Sequence, residues 1–198
     1  MGTRSAVGIR VNGKDKLMYC LFDGYPTSMG KKVFEDSVSM IESWGWDIIK
    51  EMAERLKCVN PKKKFSKQQK EQYGKHLGQV SYGDNMYSLL RGLQGELKET
   101  MREGIIAQYN SFINDSLMCE WAYILNVDTK TLEIYEGFQK TRPTKSRYAN
   151  AKPSSSGYYA CELIREIPLG ESSEVLYHTI NADESYWETL EKGEVEAA

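Results

Sequence analysis

One Asn-Gly dipeptide with alternating apolar residues before it constrains this chain most. Val7, Ile9 and Val11 alternate with Ala6, Gly8 and Arg10, a period of two that predicts a strand over Ser5–Val11. Asn12 and Gly13 both tolerate positive φ and supply a hairpin turn. Residues 16–22 read as the returning strand. Two registers compete. A two-residue loop sets Val11 opposite Lys14 and Arg10 opposite Asp15. A four-residue loop, residues 12–15, sets Ile9 opposite Met18, Val7 opposite Cys20 and Arg4 opposite Asp23. The second pairs apolar residues and gives Arg4 a counter-ion, so it is the expected register.

Further along, Asp23-Gly24-Tyr25-Pro26 breaks the strand, and Thr27 or Ser28 is placed to cap the helix that follows. Phe34, Val38, Ile41, Ile48, Met52 and Leu56 recur at helical intervals over residues 31–58. Gly45 is the expected bend and Pro61 the stop. A polar helix is expected over residues 66–77 and a third within 85–109, weakened by Gly92, Gly95 and Gly104.

Residues 118–127 are apolar on both faces apart from Glu120 and Asn126, as in a central strand. After the turn at residues 128–131, strands are expected at 132–138, 158–167 and 175–180, then a helix at 183–190 and an acidic tail. The order predicts an α+β fold: a single antiparallel sheet, made of the N-terminal hairpin and the C-terminal strands, with a helical insertion packed on it. The expected organisation is one domain over residues 1–198: hairpin 1–27, helical segment 28–115, strands 116–182, and a short helix and tail 183–198.

Composition sets the class. The 198 residues are 40% hydrophobic and 27% charged with 5 Pro, which excludes a disordered or collagen-like chain. No apolar run approaches a membrane span and the start lacks a signal-peptide core. Ala6 stands where a myristoylation signal needs Ser or Thr. Cys20, Cys58, Cys119 and Cys161 are scattered, and His76 and His178 are the only histidines. Buried free thiols, no metal, no cofactor and a cytoplasmic location are therefore expected.

The net charge of −2 conceals segregation. Residues 57–75 carry seven Lys against one Glu, and residues 139–152 carry five cations and no acid. Residues 162–198 hold ten acids against two bases. The first basic stretch reads as a solvated surface, and the pI of about 5.8 disfavours nucleic acid as the main partner. The loop containing Lys140, Arg142, Lys145, Arg147 and Tyr148 mixes cations, hydroxyls and an aromatic, the groups that grip a nucleotide-like anion. Arg4, Asp23 and Tyr25 are expected to meet beside a helix N-terminus, a second candidate for an anionic ligand.

The opening Met1-Gly2-Thr3-Arg4-Ser5, with Phe22-Asp23-Gly24-Tyr25-Pro26 and then Gly30, resembles a widespread family of small uncharacterised bacterial, phage and fungal proteins. Its members open MGTR…(W/F)DGYP…G. Residues 121–128 and 132–135 are similar to the family's second recurring segment, while Ser28 stands where relatives commonly carry glycine. The resemblance brings no established activity. Its phage members imply a counter-defence role, in which such proteins bind a host protein or sequester a nucleotide signal.

Three function classes follow. The first is a binding module for a small anionic ligand or a host protein, through Arg4, Asp23, Tyr25 and the basic loop. The second is an N-terminal-nucleophile hydrolase, because Gly2-Thr3 before a strand-turn-strand resembles the processing junction of proteasome-like subunits. There, Thr3 would be the catalytic nucleophile. The third is a self-assembling structural subunit, a homo-oligomer joined through strand edges and the exposed acidic tail. No hydrolase elbow, zinc-protease, Walker or dinucleotide signature is present.

Overall fold

The computed structural model describes residues 2–78, 83–170 and 184–193. Its centre is a five-stranded sheet in the order β2-β1-β3-β4-β5. These strands are β1 (Ser5–Val11), β2 (Lys14–Cys20), β3 (Trp121–Asn126), β4 (Thr131–Glu136) and β5 (Glu162–Pro168). The α+β class holds, with helices packed on the sheet. The sheet is mixed rather than antiparallel, because β1 pairs parallel with β3 through Ser5↔Trp121 to Arg10↔Asn126. The long insertion between β2 and β3 acts as the crossover that a parallel pair requires. The expected strand at 175–180 and the acidic tail beyond residue 193 lie outside the described residues.

The hairpin adopts the two-residue loop, with Val11↔Lys14, Arg10↔Asp15, Ile9↔Lys16 and Val7↔Met18. Both loop residues are left-handed, Asn12 at φ 51° and Gly13 at φ 70°, so turn chemistry decides the register. The expected register differs by two residues, which leaves every side chain on the same face, and the apolar alternation cannot separate the two. Lys16, set opposite Ile9, finds its own partners. Its Nζ donates to the carbonyls of Ala53 (2.6 Å), Glu54 (3.1 Å) and Leu56 (2.9 Å), closing the C-terminus of the long helix that follows the hairpin.

That helix, α1 (Lys31–Arg55), bends at Gly45, whose φ of 71° and ψ of 163° interrupt the helical path. Neither Thr27 nor Ser28 caps it: a π-turn at Pro26–Gly30 leads in, and Thr27 Oγ1 donates to Glu191 instead. The helix stops well before Pro61, because Lys57–Val59 pairs in parallel with Ile105–Ala107 as a separate two-stranded ribbon. Short helices α2 (Lys67–Tyr73), α3 (Met86–Leu89) and α4 (Leu97–Glu103) complete the insertion.

The sheet is covered on both faces. One face sets Val7, Ile9, Met18, Tyr123, Leu125 and Ile134 against α1 and the last helix, α5 (Glu184–Lys192). There Trp187 meets Phe34 edge to face at 5.8 Å. The other face sets Ala6, Leu17, Ala122, Ile124 and Tyr135 against Ile113, Cys119 and Cys161. Three of the four thiols are buried and Cys58 is exposed. Burial pushes the Cys20 thiol up to about 12. Among the described residues, no helix is long and apolar enough to cross a membrane.

Asp128 locks the hairpin tip. Its carboxylate accepts the backbone N–H groups of Asn12 (2.7 Å) and Gly13 (2.8 Å). These donors hold its carboxyl below the ordinary value. A depressed folded value gives stability that is present above the ordinary carboxylate range and lost as pH falls through the depressed value. Asp128→Asn is therefore expected to destabilise at pH 7 by about 1 kcal/mol or less, since water screens the site. Urea titrations should show the gap to wild type narrowing below about pH 4.

Candidate functional site

The eight candidate ligand residues fall into two places. The basic loop at residues 139–157 folds over the sheet face opposite α1. Arg147 enters a network on that face and is saturated there. Its guanidinium donates to Glu133 Oε1 (2.9 Å), pairs with Glu133 Oε2 (2.6 Å), and reaches Asp15 at 3.1 and 3.3 Å. It also lies over the rings of Tyr135 (5.5 Å) and Tyr148 (5.1 Å). Tyr148 donates to Asp15 (2.9 Å), Tyr135 to Glu133 (3.0 Å), and Asn126 to Glu133 (2.6 Å). Arg10 closes the network on Asp15 at 3.0 Å.

Glu133 is 2% exposed, while Arg147, Arg10 and Asp15 remain partly exposed, so one buried carboxylate is held by a network that reaches the surface and whose members satisfy one another. Burial opposes the charge on Arg147, yet hydrogen bonding and the charge of Glu133 hold its pKa above the ordinary value. Burial, with the Glu133 charge, also raises the Tyr135 phenol. Arg142 donates to the Ala149 carbonyl (3.0 Å) and lies over Tyr159. Thr144 and Lys145 give their backbone N–H groups to Glu162 (2.8 and 2.7 Å). Only Lys140 and Lys145 in this group keep exposed side chains without a hydrogen bond or ion pair among the described residues. The loop is a clamp on the sheet rather than an open anion cradle.

Arg4, Asp23 and Tyr25 gather at the other place, the end of the sheet where β1 and β3 begin. Backbone bonds stitch four segments side by side there. Gly24 N–H donates to Thr3 (3.0 Å), Glu120 to Arg4 (3.1 Å), Gly137 to Glu120 (2.8 Å) and Phe138 to Ser116 (2.8 Å). The expected Arg4–Asp23 pair does not form. Arg4 instead meets Glu120 at 3.2 Å and lies 3.2 Å from the Met118 sulfur, because the actual register moves Asp23 past the strand end. Asp23 sits at φ 55° and makes no ion pair among the described residues. Gly24 must be glycine: a Cβ there would lie 2.9 Å from the Arg4 carbonyl carbon and the Thr3 oxygen. The buried Tyr123 hydroxyl donates to the Gly24 carbonyl at 2.9 Å and fixes this corner to the core.

Large apolar side chains are exposed at this same end of the sheet, with Met118 in contact with Arg4. Phe22 is 55% exposed, Phe138 53%, Tyr25 44% and Met118 43%. Phe138 also holds φ 58°, a left-handed conformation costing a bulky residue roughly 1–2 kcal/mol. Its neighbours enforce it: Gln139 N–H donates to Ser116 Oγ at 2.8 Å and its amide to the Gly137 carbonyl at 2.8 Å. Sequence reasoning passed over Phe22, Met118, Glu120 and Phe138. Phe22 lies within the segment that carries the family resemblance, and no sequence signal marks a phenylalanine such as Phe138 for left-handed backbone.

A cleft of about 370 Å³ opens beside the same corner, lined among others by Cys20, Phe22, Asp23, Lys32, Arg91 and Glu96. Lys32 pairs with Glu96 at 2.9 Å, so the cleft carries both signs of charge. Thr3 is only 4% exposed. Compared with protein-family models, curated proteins and solved structures, the chain matches none of them.

Proposed function

We propose that this chain is a binding module that engages a partner protein through the apolar end of its sheet. The observation that carries the reading is Phe138, held exposed and left-handed by its surroundings. Strain of this kind persists where a function uses it. Phe22, Tyr25 and Met118 add exposed apolar surface at the same end of the sheet, and Arg4 adds a cation beside Met118. Aromatic residues, Met and Arg are the types enriched at protein interfaces. A host protein as partner, in a phage counter-defence setting, is the version that the family resemblance suggests.

A second reading keeps the small anionic ligand and moves it to the cleft between Asp23, Lys32 and Arg91. The burial of Thr3 and the tie between its carbonyl and Gly24 weigh against a nucleophile at that position. Self-assembly through the β2 edge is opposed by residues 109–110, which already bond Leu17 through Tyr109 N–H and Asn110 Oδ1.

Affinity capture from cells of the native source, run beside calorimetry with a panel of linear and cyclic nucleotides, separates the readings. Wild type is expected to retain a discrete protein that Phe22→Glu/Phe138→Glu loses, with no heat from any nucleotide. Saturable nucleotide heat and unchanged capture by the double variant would contradict the protein-binding reading. Phe138→Gly is expected to lose capture while keeping or raising stability, since glycine removes the backbone strain.

A further inference from the structure

We propose that His76, Glu99 and Glu103 form a binding site for a divalent transition-metal ion of the zinc class. The sequence gives no metal-ligand spacing, because His76 and the two glutamates come from separate elements. His76 ends a single 3₁₀ turn, Gly74–His76, after α2. Glu99 and Glu103 lie one turn apart on α4, on the same face. That helix is anchored by the buried Leu97, Thr100 and Met101.

One ligand atom from each of the three residues lies within 4.8 Å of the others. His76 Nε2 is 3.4 Å from Glu103 Oε1. Zinc-ligand bonds near 2.0–2.1 Å set ligand atoms roughly 3.3 Å apart in a tetrahedron, so this pair already has the required spacing. The His76 side chain is only 10% exposed, and its Nε2 is buried without a hydrogen-bond partner. A buried ring nitrogen without a hydrogen bond, 3.4 Å from one carboxylate and clustered with a second, is the feature a metal ion would resolve. One imidazole and two carboxylates give three protein ligands and leave a fourth position for water or a further ligand. The imidazole selects zinc-class ions over calcium or magnesium, which take oxygen ligands.

Two cations already meet these carboxylates: Arg102 Nη1 lies 3.6 Å from Glu99 Oε2, and Lys75 is the main competitor at Glu103. Its Nζ is 2.5 Å from Glu103 and 3.9 Å from Glu99, on a side chain that is 61% exposed. It balances the carboxylates without the ion and can swing to solvent when the ion binds. The metal would then brace the 3₁₀ turn to α4.

The test is a titration of the full chain with Co²⁺, followed by Zn²⁺, in a Cys58→Ser background that removes the exposed thiol. The expected result is one-to-one binding, with visible bands of nitrogen and oxygen coordination that Zn²⁺ abolishes. His76→Ala is expected to weaken binding at least about tenfold, as loss of a direct ligand exceeds the loss of a supporting one. Lys75→Ala is expected to tighten it roughly fivefold to thirtyfold, the upper figure being one unit charge a few ångströms from a divalent ion in water and the lower one a side chain that swings toward solvent. It rests on an exposed side chain, so it reads the site even where the histidine variant folds poorly. Absence of saturation at millimolar ion overturns the proposal. So does equal affinity in wild type, His76→Ala and Lys75→Ala, which would mark the cluster as a structural ion-pair network.

Discussion

Replacing Arg147 with alanine is expected to cost about 3–5 kcal/mol of stability, read as a lowered midpoint in urea or guanidinium unfolding. Glu133 has almost no access to water, and Arg147 meets both of its oxygens. Truncation leaves that carboxylate with the Asn126 amide and the Tyr135 hydroxyl alone. Both are neutral donors and cannot replace a guanidinium. Asp15 keeps Arg10 and Tyr148, so the damage centres on Glu133. The loop over residues 139–157 should then exchange its amides faster, because its main tie to the sheet is gone. Adding Glu133→Gln should recover part of the loss, since the uncompensated charge disappears with it. A cost below about 1 kcal/mol would mean that the cluster is solvated and the loop is held elsewhere.

Tyr123 carries the second large effect. It is fully buried, sits on the central strand β3 against the α1 face, and its hydroxyl reaches the Gly24 carbonyl. Tyr123→Ala removes a large ring from the core and is expected to cost about 3–5 kcal/mol. Tyr123→Phe keeps the ring and leaves the Gly24 carbonyl without its side-chain donor, for about 1–3 kcal/mol. The two variants should differ in where they act. The alanine variant lowers global stability, whereas the phenylalanine variant should loosen residues 22–29 first, seen as faster amide exchange there. Equal effects of both substitutions would show that the hydroxyl, not the ring, does the holding.

The parts legible in the sequence are those set by periodicity. Alternation at Val7, Ile9 and Val11 and the apolar run at residues 121–126 place strands and their faces, and the turn residues between them place the hairpins. Gly45 announces the bend in α1. The parts that were not legible depend on contacts between distant segments. The parallel pairing of β1 with β3 has no local signal. The early end of α1 follows from Lys57–Val59 finding Ile105–Ala107. The same holds for the candidate sites. Arg147 and Tyr148 look like ligand-gripping groups in a basic loop, but Asp15 and Glu133 absorb them. Arg4 looks like a partner for Asp23, yet a two-residue change of register hands it to Glu120. Phe138 had no visible cue, since its importance lies in backbone geometry that phenylalanine rarely adopts.

The measurement that bears most directly on the central claim is site-specific photo-crosslinking in the native cells. A photoreactive amino acid is placed in turn at Phe22, at Phe138 and at Lys67, an exposed residue at the start of α2. The account predicts one discrete protein adduct shared by positions 22 and 138 and missing from position 67. No adduct at the sheet end, or the same adduct from all three positions, would contradict it.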